Sequence, residues 1–240
     1  MRRPTHALAV AAGALVLTGC AAFAAPLLPA RPVDAAPFAQ VIGATSPSVA
    51  KVGGKTCSGA DLVGSAFVAA DHLVLTAAHV VAGARTVELR FPGREPVVAE
   101  LVMVDADDDT AVLRVAGDLP PALAVEPPLI PRGDEVVVLG YPLAEQAVRT
   151  VLARVSALDE SATLEGHELR DLLVIDAQVP TGASGGPVAD SAGRVRGMVS
   201  AQVSGRGGRD SSRLITLGIP SVRLAQRLAS AANLPAPTPC

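Results

Sequence analysis

Tryptophan is absent, tyrosine occurs once, at Tyr141, and phenylalanine only four times in 240 residues. A core of stacked rings is therefore excluded, and with 50% of residues hydrophobic the interior must be built from Val, Leu and Ala. Charge is scarce as well, at 18% of residues, and the formal net charge is -3. Such a balance lacks the basic field that a phosphate backbone requires, so no nucleic acid partner is expected. Cysteine is limited to Cys20, Cys57 and Cys240, and no CxxC or HExxH spacing occurs, which gives no support for a metal or a cofactor. Long apolar runs are missing too. The stretch from Ala7 to Leu17 is too short to span a bilayer as a permanent helix.

That stretch follows Arg2 and Arg3, and a positive start before a short apolar segment reads as an export signal over residues 1–20. It ends in Leu17-Thr18-Gly19-Cys20, which resembles the bacterial lipobox, in which the cysteine is lipidated and becomes the new N-terminus. Ala22-Phe23-Ala24 offers an ordinary signal peptidase cut as the alternative. Either route takes the protein out of the cytoplasm, anchored at the outer face of the membrane if Cys20 is lipidated and secreted otherwise. Cys57 and Cys240 then remain in an oxidising compartment, which predicts a disulfide between them, with two unpaired thiols as the alternative. Closing so long a loop contributes about 5 kcal/mol in the chain-entropy model.

Residues 21–40 are rich in Ala and Pro without a sustained period and read as a tether ahead of a domain over 41–240. From there short runs of Val, Leu, Ile and Thr alternate with Gly, Asp and Pro, as in ARTVELRFPG, DTAVLRVAG and DEVVVLGYP. Strands this short, without long helical patterns between them, predict an all-β architecture. A proline-rich break over 117–132 divides the strands into groups at about 48–116 and 133–219, which predicts two β subdomains. The segment 220–233 reads as an amphipathic C-terminal helix with Val222, Ala225, Leu228, Ala229 and Ala232 on one face.

Within TGASGGP, residues 181–187, Ser184 stands among glycines that let backbone N–H groups approach a developing oxyanion. A serine hydroxyl needs a base to become a nucleophile. GASGG also fits the nucleophile elbow of α/β hydrolases, but that fold places its histidine after the serine. Here His6, His72, His79 and His167 all precede Ser184, so the elbow reading fails. The order His, Asp, Ser remains. Within LVLTAAHVV a β-branched strand ends in two alanines and then His79, and Asp109 stands at the mouth of TAVLRV, so these two are the expected partners of Ser184. The N–H groups of Gly182 and Ser184 are the expected oxyanion donors. Asp105, Asp107 and Asp108 read as a solvated loop, His167 as a surface residue and His72 as a turn residue.

TAAHVV, DTAVLRV and TGASGGPV, in that order, resemble the histidine, aspartate and serine motifs of the trypsin-like, chymotrypsin-fold serine proteases, over roughly residues 48–220. Within that family the chain is similar to HtrA-like bacterial proteases and to MarP-type envelope proteases, on GSAFV, LTAAHVVAGA, DAQVPTGASGGPV, GRVRGMV and the placement of the cysteine pair. The resemblance implies two six-stranded antiparallel β-barrels with the site in the crevice between them, His79 and Asp109 coming from the first and Ser184 from the second. It also implies that GMVSAQ, residues 197–202, pairs with substrate backbone, and that Gln178, Val179, Pro180, Ser200, Ala201 and Gln202 line the primary pocket. No acidic side chain sits among those six, so a small or medium apolar residue is expected there in preference to Arg or Lys. Two departures concern layout: a single signal replaces several membrane spans, and no PDZ domain is expected after residue 220. A third is Ala183, which stands where many members place an aspartate that zymogens pair with a freshly cut N-terminus. The function implied is an exported serine endopeptidase that cuts envelope or misfolded proteins through an acyl-enzyme. The alternative is a latent or non-catalytic protein that holds extended peptides in the same cleft.

Overall fold

The structure, a computed structural model, describes residues 32–127, 130–204 and 214–231. The described residues form six strands in each of two antiparallel sheets. In the first are β1 (Val49–Thr56), β2 (Gly64–Ala70), β3 (Leu73–Thr76), β4 (Ala84–Arg90), β5 (Val97–Asp105) and β6 (Thr110–Arg114). They pair in the order β1-β2-β3-β6-β5-β4, and β4 returns to β1 to close a barrel. The second holds β7 (Glu135–Gly140), β8 (Arg149–Leu164), β9 (His167–Ile175), β10 (Pro187–Ala189), β11 (Val195–Ser204) and β12 (Leu214–Pro220). Their order is β10-β11-β12-β9-β8-β7, closed by β7 on β10. The all-β class and the paired six-stranded antiparallel barrels expected from the sequence are therefore what the chain forms.

The strands follow from their residues. In β4, Val87 and Leu89 face inward between solvent-facing neighbours, the alternation of a half-buried strand. In β7, the run Val136 to Gly140 is buried throughout, because both of its faces are covered. The core is aliphatic apart from Phe38, Phe67, Phe91 and Tyr141. The proline-rich segment between the barrels is a strap lying on both. Leu123 donates its N–H to Val68 of the first barrel at 2.9 Å, and Val195 of the second donates to Ala124 at 2.8 Å.

Two expectations are corrected. The Ala/Pro-rich stretch was expected to be a tether to residue 40, but α1 (Ala36–Thr45) begins inside it. Pro37 fits the first turn of a helix, where its missing N–H costs nothing. Phe38, Val41 and Thr45 then fall on one face and are buried, Phe38 completely. Burying that ring stabilises the start of the chain by about 2 kcal/mol. The C-terminal helix α2 spans Ser221–Ala231, but its buried stripe is Ser221, Leu224 and Ala231, not the alanine-centred face. The reason is electrostatic: Arg223 and Arg227 face a carboxylate cluster, which turns Ala229 outward. The signal with Cys20, the end of the predicted helix beyond Ala231, and Cys240 lie outside the described residues. No helix among the described residues is long and apolar enough to cross a membrane.

Candidate functional site

β3 is buried along its whole length and runs into Ala77 and Ala78, whose small side chains let the chain turn at once into a single 3-10 turn, Ala78–Val80. His79 sits on that turn. Asp109 arrives from the loop between β5 and β6, with φ at 42° and 2% of its surface exposed. Aspartate tolerates the left-handed region because its short side chain can bond locally. Asp109 Oδ1 accepts the backbone N–H of His79 at 3.1 Å and its Nδ1–H at 2.9 Å, and Oδ2 lies 3.1 Å from the same Nδ1. With the proton held on Nδ1, Nε2 is left with its lone pair outward, the form that a general base needs. Burial pushes the imidazole toward its neutral form. The hydrogen bond and charge of Asp109, with a further contribution from Glu165, oppose that and hold its pKa above the usual 6.5.

Ser200 completes the surroundings of Asp109. Its hydroxyl donates to Asp109 Oδ2 and is fully buried. The ladder between β11 and β12 shifts register between Val199 and Ala201, and this bulge turns Ser200 toward the first barrel. The sequence reading assigned Ser200 to the substrate pocket; the side chain instead bonds the carboxylate and the carbonyl faces Ser184. A lone serine in the apolar strand MVSAQV was the available signal. Ser184 Oγ donates to that carbonyl at 3.1 Å, and no hydrogen bond joins it to His79.

Around Ser184 the backbone is fully accounted for. Ala183 donates to Pro180 at 3.1 Å, and Gly182, at the third position of that turn, has φ +102°. This is a type II turn, which requires glycine there. The Thr181 carbonyl accepts from Leu143 N–H at 2.8 Å, so the other end of the same trans peptide, Gly182 N–H, points the opposite way. Gly185 donates to Val199 and Gly186 to Ala183, each at 2.8 Å. Among the described residues, the N–H groups of Gly182 and Ser184 alone between 182 and 186 have no acceptor. Gly185, at φ +85°, has no room for a side chain, since a Cβ would run into the Ser65 carbonyl.

Of the residues expected to line a pocket, Gln202 Nε2 donates to the Val179 carbonyl, which brings residues 178–180 beside β11. Val179 is buried and Gln178 exposed, while Ala201 and Gln202 are half-buried. β10 pairs with β11 only at Val195, Gly197 and Met198. From Ser200 onward that edge of β11 has no ladder partner among the described residues, so an extended peptide can add to it.

Among its aspartates, the acidic loop is solvated only at Asp107. Asp108, 8% exposed, pairs with Arg223 and Arg227 of α2, and Asp105 lies 2.9 Å from Arg227. Asp107 stays exposed and accepts from His167 Nδ1 at 2.9 Å. His167 is at the surface as expected, but it opens β9, and its bond to Asp107 ties the β8–β9 hairpin, whose tip is Glu165-Gly166, to the loop that carries Asp109. His72 occupies a turn at φ 57°, with Nδ1 3.2 Å from the Val115 carbonyl. No cluster of potential metal ligands occurs among the described residues.

The sequence matches the family described as trypsin-like peptidase domain over residues 64–198. It is 36% identical over 185 residues to serine protease Rv3671c of Mycobacterium tuberculosis, covering 72% of this chain and 45% of that protein. It is 32% identical over 206 residues to mitochondrial serine protease HTRA2 of Bos taurus, covering 80% of this chain and 42% of that one. The chain thus spans less than half the length of these curated relatives. Among solved structures, the active form of the Rv3671c protease superposes with a TM-score of 0.74 at 30% identity, over 87% of this chain and 90% of that one. HtrA-type protease AlgW with a tripeptide gives 0.70 at 25% identity, over 82% and 64%. A buried carboxylate behind an imidazole, a serine framed by two free N–H groups and paired six-stranded barrels agree with those matches: the chain belongs to the trypsin-like peptidase family.

Proposed function

We propose that the protein is an exported serine endopeptidase. Ser184 Oγ attacks a peptide carbonyl as His79 Nε2 takes its proton, Asp109 holds the imidazole in that tautomer and stabilises its charged form, and the N–H groups of Gly182 and Ser184 receive the oxyanion. His79 then gives the proton to the leaving amine, and water hydrolyses the acyl-enzyme by the same steps reversed in role. The observation that carries this reading is the two-oxygen grip of Asp109 on His79, at 2.9 and 3.1 Å, beside a serine loop in which, among the described residues 182–186, the N–H groups of 182 and 184 alone have no acceptor. The open edge of β11 supports an extended protein or peptide as substrate. The apolar surroundings of Val179 and Ala201 support a small or medium apolar residue at the primary pocket, next to Gln178, Pro180 and Gln202.

Export is supported by the arginine-led apolar start of the sequence and by a relative named as a probable periplasmic serine endoprotease in Chlamydia trachomatis. Envelope or misfolded proteins are the substrates this location supplies, and Cys20 is the residue that a lipid anchor would use. A bridge from Cys57 to Cys240 is supported by the disulfide-bonded state of Cys57.

A latent form is a second reading with an observation behind it, the Ser184 hydroxyl resting on the Ser200 carbonyl at 3.1 Å and not on His79. Serine-to-histidine contacts tighten on substrate binding in many enzymes of this chemistry. Labelling of the purified protein with a fluorophosphonate probe separates the readings. Labelling of wild type that is lost in Ser184→Ala and in His79→Ala supports the peptidase. A folded wild type that takes no label overturns it in favour of the latent form.

A further inference from the structure

Ser65, on β2 of the first barrel, lies in GSAFV, outside the histidine, aspartate and serine motifs, yet it holds the serine loop. Its Oγ donates to the Gly182 carbonyl at 2.7 Å and accepts the Tyr141 N–H at 2.8 Å. Its own N–H donates to the Ser184 carbonyl at 2.8 Å, and its carbonyl accepts Thr76 Oγ1 at 2.7 Å. The residue is completely buried. Among the described residues, both hydrogen bonds that tie residues 181–185 to the first barrel come from Ser65. Thr76 lies three residues before His79, so the same backbone joins the histidine strand to the oxyanion loop.

The neighbour of Ser184 cannot do this. Ala183 has no polar side-chain atom and packs against Gly140, where an added Cβ would stand 2.9 Å from the alanine Cβ. The turn from Pro180 to Ala183 is held at one end by Leu143 N–H on the Thr181 carbonyl and at the other by Ser65 Oγ on the Gly182 carbonyl. Releasing the second end leaves the 182–183 peptide held only by Ala183 N–H on the Pro180 carbonyl, so the short segment between the two oxyanion donors, Gly182 N–H and Ser184 N–H, loosens.

We propose that Ser65 is a positioning residue for the oxyanion loop, supplying through its hydroxyl the polar clamp that Ala183 cannot. This rests on the peptidase reading. Losing one buried hydrogen bond, with Tyr141 N–H left unpaired, corresponds to a fall of about ten- to a hundredfold in a step that depends on the oxyanion donors.

The test is the rate of fluorophosphonate labelling as a function of probe concentration, for wild type, Ser65→Ala and Ser65→Cys, with thermal melts to select folded protein. Expected for Ser65→Ala is a lower maximal rate constant with half-saturation unchanged within about twofold, and an acid limb of the pH profile where wild type has it, because the Asp109–His79 pair is untouched. Ser65→Cys, which keeps the shape and offers a weaker donor, should recover part of the rate. If Ser65→Ala does not fold, the thiol variant is read alone, with a lower maximal rate expected. A folded Ser65→Ala that labels at the wild-type maximal rate overturns the proposal, as does a thiol variant at the wild-type rate when read alone. Absence of labelling in wild type sinks the peptidase reading instead, so the two failures are distinct.

Discussion

Replacing Asp109 by asparagine exchanges one oxygen for an NH2 group and should cost the enzyme nearly all of its rate. The carboxylate accepts three donors in this structure: the backbone N–H of His79, its Nδ1–H and the Ser200 hydroxyl. An amide keeps one acceptor oxygen and adds an NH2 that must face one of these donors. With the oxygen kept on the His79 backbone N–H, the NH2 takes the Oδ2 place, beside the Ser200 hydroxyl and 3.1 Å from Nδ1; an NH2 that donates to Nδ1 requires that nitrogen to give up its hydrogen and leaves Nε2 protonated. An imidazole in that tautomer cannot take the proton of Ser184. The expected loss is about 10⁴ in the maximal rate, or about 5.5 kcal/mol on the barrier. Stability should fall much less, by about 1.5–3 kcal/mol, the worth of hydrogen bonds to a buried charge. The assay is fluorophosphonate labelling of wild type and Asp109→Asn from about pH 5 to pH 10, beside thermal melts of both. A folded Asp109→Asn that labels within about tenfold of wild type across that range would refute the tautomer argument and with it the role assigned to Asp109.

Two further outcomes follow from charges around the site. Glu165 helps to raise the His79 pKa above 6.5. Activity needs neutral His79 and so rises with pH through that raised value, whereas the stabilisation from protonated His79 is complete below 6.5 and lost as pH climbs through it. Glu165→Gln should therefore move the acid limb of the rate profile to lower pH, and a limb that stays in place removes Glu165 from the account. Arg223→Ala leaves the buried Asp108 with Arg227 alone, so denaturant melts should show a loss of about 2–3 kcal/mol, below the range for a fully buried pair because Asp108 keeps one partner. An unchanged midpoint would mean that the α2 contacts contribute nothing.

The chemistry was legible in the sequence where it is written in contiguous residues. LTAAHVV, DTAVLRV and TGASGGP each carry one candidate site residue together with the small or β-branched neighbours that seat it; the strand runs between turn residues pointed to an all-β chain in two subdomains, and the family resemblance implied the two barrels. What escaped depends on contacts between distant segments. Ser65 and Ser200 are ordinary serines in apolar strands until a bulge and a barrel-to-barrel contact aim them at the loop of Ser184 and at Asp109. Nothing in the sequence singled out the arginines of α2, and the aspartates of DADDD read as solvated. Only folding brings them together, and their pairing in turn decides which face of the helix is buried. The start of α1 was hidden by composition, because a run rich in Ala and Pro signals a tether unless one large side chain, here Phe38, finds a cavity to fill.

The counter-charges of Asp108 lie on the last helix, with Arg223 115 residues further along the chain. A polypeptide made from its N-terminus folds in that order, so the first barrel can close around His79 while the loop carrying Asp109 still holds unneutralised carboxylates. Those carboxylates repel one another and the loop stays unsettled until α2 arrives. A copy without α2 leaves Asp105 and Asp108, in the loop that carries Asp109, without their arginine partners. α2, the last helix among the described residues, thus neutralises a loop laid down more than a hundred residues earlier, and the surroundings of Asp109 are complete only when both ends of the domain are in place.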